Sequence, residues 1–151
     1  MSRLVHALLA LLLLASLLLA TGAGPARAAD FTAELVARTF FRSLLEGRPE
    51  MALQLCAAEV NLDGKRVRDR AELRRALDAI STRARRRSLG LRQLLLLEPG
   101  EAVRRFGPLP HRLRGSLGTG RLVALARFNQ LGAAAVLRRE GGFWRVTTLT
   151  D

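Results

Sequence analysis

From Ala33 onward the chain alternates with the period of a helix. Ala33, Val36, Ala37, Phe40, Phe41, Leu44 and Leu45 form one broad apolar stripe. Glu34, Arg38, Arg42 and Glu46 form the opposite one at steps of four, with Glu34 correctly placed ahead of Arg38 for an ion pair. Asp30 reads as the N-cap of this first helix, and Gly47 ends it. Pro49 suits the first turn of a second, short helix running to Ala57. The third helix carries Leu73, Leu77 and Ile80 on its buried side and ends near the run Arg83 to Arg87.

Between the second and third helices the period changes to two. Val60 and Leu62 on one side of Asp63-Gly64, and Val67 on the other, read as a miniature hairpin. Its two-residue turn needs positive φ, which Gly and, to a lesser degree, Asp tolerate. Asp69 then caps the third helix, and Glu72, three residues on, completes a capping box by reaching back.

The second half reads as strands. Leu89, Leu91, Gln93, Leu95 and Leu97 fall on one face of a strand that Pro99-Gly100 stops. One or two helical turns are expected over Glu101 to Phe106, and a loop from Gly107 to Gly120. Strands follow over Leu122–Phe128 and Leu131–Arg139. A tight Gly141-Gly142 turn leads into the last strand, Phe143 to Leu149, with Trp144 and Val146 on its helix-facing side and Phe143 turned away. Helices first and a sheet afterwards make an α+β domain.

The N-terminus changes the picture of where this domain works. Arg3 precedes an almost unbroken Leu and Ala run from Leu4 to Ala20, and Gly22, Gly24 and Pro25 break it. Ala26-Arg27-Ala28 has the small-x-small form of a signal peptidase site, so cleavage is expected between Ala28 and Ala29. A retained anchor is the competing reading, but Ala7–Ala20 is shorter than the roughly 20 residues a spanning helix needs. The expectation is a 1–28 signal peptide, one domain over 29–151, and an exported, periplasmic or secreted protein.

Charge and chemistry come next. The formal net charge is +12, and every basic residue but Lys65 is arginine. An Arg excess beside so much Ala, Leu and Gly is also what GC-rich codons give. The run Arg83-Ala84-Arg85-Arg86-Arg87 suits a solvated helix end, where cations favour the macrodipole. No aromatic residues interleave it, so nucleic acid is not an expected partner; an anionic envelope polymer is the weaker basic-surface alternative. The single cysteine, Cys56, excludes an internal disulfide and reads as a small buried hydrophobe.

The order of these segments resembles the nuclear transport factor two-like superfamily, the cone-shaped fold shared with ketosteroid isomerase and polyketide cyclases. The resemblance rests on Leu44-Leu45-Glu46-Gly47, the short second helix, Val60-Asn61-Leu62-Asp63-Gly64, Arg68-Asp69-Arg70-Ala71-Glu72-Leu73 and the closing Arg139-Glu140-Gly141-Gly142-Phe143-Trp144-Arg145-Val146. It implies three N-terminal helices packed in a curved, mostly antiparallel sheet, a pocket in the cone, and frequent dimerisation through the sheet.

Function does not follow from this fold, whose members include isomerases, cyclases, dehydratases and proteins with no chemistry. There is no tyrosine to steady an enolate, and the one histidine beyond the leader, His111, sits in a Pro- and Gly-rich loop. No metal cluster and no cofactor motif is present in the sequence. Two classes therefore stay open. The first is non-catalytic binding of a small apolar ligand or a protein partner, with Phe40, Phe41, Leu62, Gln93 and Trp144 as walls or simply as core. The second is an enzyme of the isomerase, cyclase or dehydratase type acting on an apolar carbonyl compound. Its general base would be Asp63, the one catalytic candidate, and a buried carboxylate there would favour this reading.

Overall fold

Ser81 on one helix donates from Oγ to the Leu44 carbonyl of another at 2.7 Å, and this buried bond fixes the crossing on which the fold is built. The computed structural model describes residues 25–129 and 131–150. Phe31–Asp151 forms one compact unit.

Helix α1 spans Pro25–Leu45. It starts ahead of Asp30, which is therefore not its N-cap: Pro25 presets the helical φ, and Ala26, Ala28 and Ala29 are strong helix formers. Ala33, Ala37, Phe40, Phe41 and Leu44 are buried as one stripe. On the other face Arg38 Nη2 meets Glu34 Oε1 at 2.7 Å. Gly47 at φ +75° closes the helix, with the Arg48 N–H returning to the Ser43 carbonyl at 2.8 Å.

Helix α2 covers only Pro49–Gln54, and the chain is already extended at Cys56. The expected reach to Ala57 was too long because Cys56 and Ala57 suit either state, and pairing with the last strand decides it. Strand β1, Cys56–Leu62, turns through Asp63 (φ +50°) and Gly64 (φ +93°) into β2, Lys65–Val67, with Leu62 opposite Lys65. The expected hairpin is present in register. Helix α3, Arg70–Arg86, is capped by Asp69, whose carboxylate accepts from the Ala71 and Glu72 N–H groups at 3.0 and 3.3 Å. The Glu72 carboxylate is turned to Lys65 Nζ at 2.6 Å, so the box closes through a hairpin side chain rather than back on Asp69.

Strand β3 is Gln93–Leu97, shorter than the Leu89–Leu97 expected. Leu89 and Leu91 pack on the main core together with Leu94 and Leu96, whereas Leu95 and Leu97 pack on the other side. The chain therefore changes face between Leu91 and Gln93, which a uniform run of alternating leucines conceals. Helix α4, Pro99–Phe106, follows. The segment expected as loop contains one further turn, α5, His111–Arg114, which buries Leu113. Strands β4 (Arg121–Arg127), β5 (Gly132–Glu140) and β6 (Phe143–Thr150) complete the sheet.

The six strands lie in the order β2-β1-β6-β5-β4-β3, antiparallel except where β1 runs parallel to β6. The curved sheet carries two cores. The larger, between sheet and helices, holds Phe40, Phe41, Leu73, Leu77, Val60, Leu137 and Val146. Phe41 sits edge-on to both Phe40 and Phe128, with centroids 5.5 and 5.9 Å away. The smaller lies on the opposite face, where Ala102, Leu109 and Leu113 cover Val123, Ala134 and Val136.

A bulge at Thr147 shifts the phase of β6. Leu137 pairs with Val146 and Val136 with Thr148, leaving Thr147 between them to donate from Oγ1 to the Val136 carbonyl at 3.2 Å. Before the bulge, Trp144 and Val146 pack on the main core; after it, Leu149 does. Thr148 and Thr150 are thereby set off the phase that simple alternation from Trp144 gives.

Candidate functional site

The main core is not filled to its end. A cavity of about 120 Å³ opens between α1, α3 and the sheet. Its apolar wall comes from Phe41, Leu44 and Leu45 of α1, Ile80 and Ala84 of α3, Leu62 of β1, Leu149 of β6, and Phe128, Leu131 and Ala133 around the start of β5. Arg83, Arg87, Asp63 and Thr150 supply its polar groups.

The turn residue Asp63 is held by three elements. Its N–H donates to the Leu149 carbonyl at 3.0 Å, its Oδ1 accepts from Thr150 Oγ1 at 2.6 Å, and Arg112 Nη1 of α5 lies 3.1 Å from the same oxygen. The Asp63 side chain is 48% exposed. A carboxylate so solvated and already bonded to a guanidinium is a tie between the hairpin, β6 and α5. It lacks the burial by which a general base is poised.

The residues read from the sequence as walls separate into two groups. Phe41 and Leu62 line the cavity. Phe40 is fully buried in the core behind it, and Trp144, half-buried, packs against that core near the far end of β6. Gln93 is exposed at the start of β3, on the phase of Leu95 and Leu97 and so on the face away from α1, α2 and α3. Sequence reasoning missed Ile80, Ala84, Phe128, Leu131 and Leu149 as lining residues. The helical period of α3 was the available signal for the first two; the phase shift at Thr147 hid Leu149. Cys56, 5% exposed, lies in the core with its thiol pushed up to about 12 by burial. It carries no nucleophile at neutral pH.

Among the described residues no three His, Cys, Asp or Glu side chains come together to hold a metal ion, and no helix is long and apolar enough to cross a membrane. The leader read over residues 1–28 lies outside the described residues up to position 24, and Ala28 and Ala29 fall in the first turns of α1.

Three helices set against a curved mixed sheet, with a cavity left inside, make the α+β cone that the order of segments led one to expect. No family model and no curated protein matches the sequence. Solved structures are similar in fold. A designed protein of the nuclear transport factor two-like fold is 17% identical over 79% of this chain and 95% of its own, with a TM-score of 0.45. A Nostoc punctiforme protein of unknown function with a cystatin-like fold is 12% identical over 84% and 90%, with a TM-score of 0.49. A Mycobacterium tuberculosis protein of unknown function is 13% identical over 85% and 75%, with a TM-score of 0.48.

Proposed function

We propose that the protein is an exported, non-catalytic binding domain that takes a small apolar ligand in the cone cavity. The observation that carries this reading is the lining of the cavity. Its wall is aliphatic and aromatic, with polar groups confined to Asp63, Thr150, Arg83 and Arg87. A cavity of about 120 Å³ suits a ligand of about one small ring, since an engineered apolar cavity of roughly 150 Å³ holds benzene. The arrangement of Asp63 supports binding rather than catalysis, because its carboxylate is engaged by Arg112 and Thr150 in a solvated turn. The N-terminal leader supports export.

Titration of the purified chain with benzene, followed by calorimetry and thermal shift, tests the reading. One-to-one saturable binding is expected, together with a rise in the unfolding midpoint as benzene stabilises the native state. Ala84→Phe, which places a ring in the cavity, is expected to remove binding while the far-ultraviolet spectrum is kept. Binding that survives Ala84→Phe unchanged, or never saturates, would overturn it. For export, mass spectrometry of the protein recovered outside the cytoplasm should find a chain that begins at Ala29; intact chain retaining Met1 in the membrane fraction would defeat that part.

A further inference from the structure

The strands that close the cone cavity also build a second, polar cleft on their other face. In the parallel β1/β6 pair, Leu62 stands opposite Leu149 and Asn61 opposite Thr148. Leu62 and Leu149 line the cone cavity; Asn61 and Thr148, one position back on each strand, line a separate cleft of about 430 Å³. The Thr147 bulge is what gives Thr148 this phase. Leu62 packs on the main core, so Asn61, the residue before it on β1, belongs to the opposite face.

Two polar groups in this cleft lack partners. Thr148 is 1% exposed, yet its Oγ1 makes no hydrogen bond. The Asn61 amide meets Ser116 Oγ through Nδ2 at 3.4 Å, while its buried Oδ1 has no partner. Buried polar atoms are ordinarily paired, so two orphans on one wall mark a place where something else completes the bonding.

The charge around them is positive. Arg66 from β2, Arg121 from β4 and Arg138 from β5 line the cleft, against the single carboxylate of Glu59. A hydrogen bond from Arg68 holds the Glu59 carboxyl below its ordinary value, with Arg66 Nε 3.8 Å from its other oxygen. Arg121 reaches the Ser116 carbonyl and Arg138 pairs with Glu140. Each guanidinium has five donors, so these contacts leave N–H groups for a further acceptor. Planar guanidinium forks match the oxygens of a phosphate-type group.

We propose that this outer cleft is a second binding site, for a small hydroxylated molecule that carries a phosphate-type oxyanion. The arginines and the Thr148 hydroxyl serve the oxyanion. The Asn61 Oδ1 accepts from a hydroxyl of the ligand. At about 430 Å³ the cleft is within the size range of small-molecule sites. This site stands independently of the reading given to the cone.

Calorimetric titration of the full chain with glucose 6-phosphate, inorganic phosphate and glucose tests the proposal. Saturable one-to-one binding of glucose 6-phosphate is expected, tighter than that of either other probe. The double variant Arg66→Gln/Arg138→Gln is expected to weaken it by about tenfold or more, as loss of charge-assisted bonds does. The variant Arg75→Gln/Arg86→Gln removes equal charge from exposed positions on α3 and is expected to leave binding unchanged. In the unaltered protein, the Asn61 and Thr148 amide resonances should shift on titration, which needs no variant to fold. Absence of saturation, or equal weakening in the two double variants, would show a diffuse cationic surface and overturn the site. Inorganic phosphate binding as tightly as glucose 6-phosphate would overturn the hydroxylated ligand.

Discussion

Asp63 Oδ1 accepts a hydrogen bond from Thr150 Oγ1 at 2.6 Å, joining the tip of the first hairpin to the end of the last strand across 87 residues of chain. Together with the bond from the Asp63 N–H to the Leu149 carbonyl, it holds β1 parallel to β6 at the point where the cone cavity and the outer cleft share a wall. Asp63→Ala removes the Thr150 and Arg112 contacts and leaves a residue with a Cβ at φ +50°. The exposed ion pair adds little. The parent already carries a Cβ at that φ, so the lost hydroxyl bond should set the cost, about 1 kcal/mol. Asp63→Gly, which relieves the strain but not the lost bond, should cost less. Urea midpoints of the two variants check this order, and equal midpoints would show that the φ constraint contributes nothing.

The hairpin and cap give a second comparison. Gly64 stands at φ +93° with open space where a Cβ would go, so Gly64→Val meets backbone strain and no collision. Its expected cost is about 1–2 kcal/mol. Asp69→Ala removes the acceptor for the Ala71 and Glu72 N–H groups and should cost about 1 kcal/mol. Denaturant midpoints unchanged in both variants would mean that neither the turn nor the cap holds the β2–α3 junction.

These two features were legible in the sequence because each is a local demand on backbone geometry: positive φ at Asp63-Gly64, an unpaired helix start after Asp69. The cone fold was legible for the same reason, through the order of helices, hairpins and turns. What escaped the sequence was set at long range. Cys56 and Ala57 belong to β1 only because Val146 and its neighbours pair there. The Thr147 bulge has no glycine to announce it, so Leu149 was hidden as a wall of the cavity and Thr148 as a wall of the outer cleft. Gln93 looked like a polar wall residue because Leu89 and Leu91 seemed to share its phase; the chain changes face between them. The outer cleft draws Asn61, Ser116, Arg121, Arg138 and Thr148 from five separate segments, and no local pattern links them.

The closing hairpin separates two adjacent aromatics. Phe143 is 67% exposed, whereas Trp144 is half-buried and packed on the main core. Because it is only half-buried, Trp144→Ala should cost about 1–3 kcal/mol, below the 3–5 of a fully enclosed aromatic. Phe143→Arg should stay within about 0.5 kcal/mol of the parent, as surface changes do. The outer face of the sheet is covered at Val123, Ala134 and Val136 by Ala102, Leu109 and Leu113. A dimer through the sheet would then rest on the uncovered end near Phe143. Phe143→Arg should shift any such dimer toward monomer in analytical ultracentrifugation. A midpoint loss in Phe143→Arg as large as in Trp144→Ala would reverse the face assignment of β6.

Cys56 predicts the behaviour of the fold in alkali. The residue is 5% exposed, and its thiol faces the Ala52 carbonyl at 3.4 Å and is pushed by burial from 9.0 to about 12; the nearby Arg70 and Arg145 act in the opposite, smaller direction. The folded state thus holds the proton in a range where the unfolded chain releases it. Stability from this group is whole below pH 9 and declines as pH rises toward 12, by about 1.4 kcal/mol per pH unit at most and on the order of 4 kcal/mol in total. Tyrosine, which would ordinarily titrate in the same window, is absent, and Lys65 is the single lysine. The alkaline limb of the stability curve should therefore belong largely to one thiol. Cys56→Ala is expected to lower stability at pH 7, through the lost sulfur packing, and to flatten the decline between pH 9 and 12. Denaturant midpoints measured at steps across that range decide the matter: equal slopes in parent and Cys56→Ala would show that another group unfolds the protein in alkali.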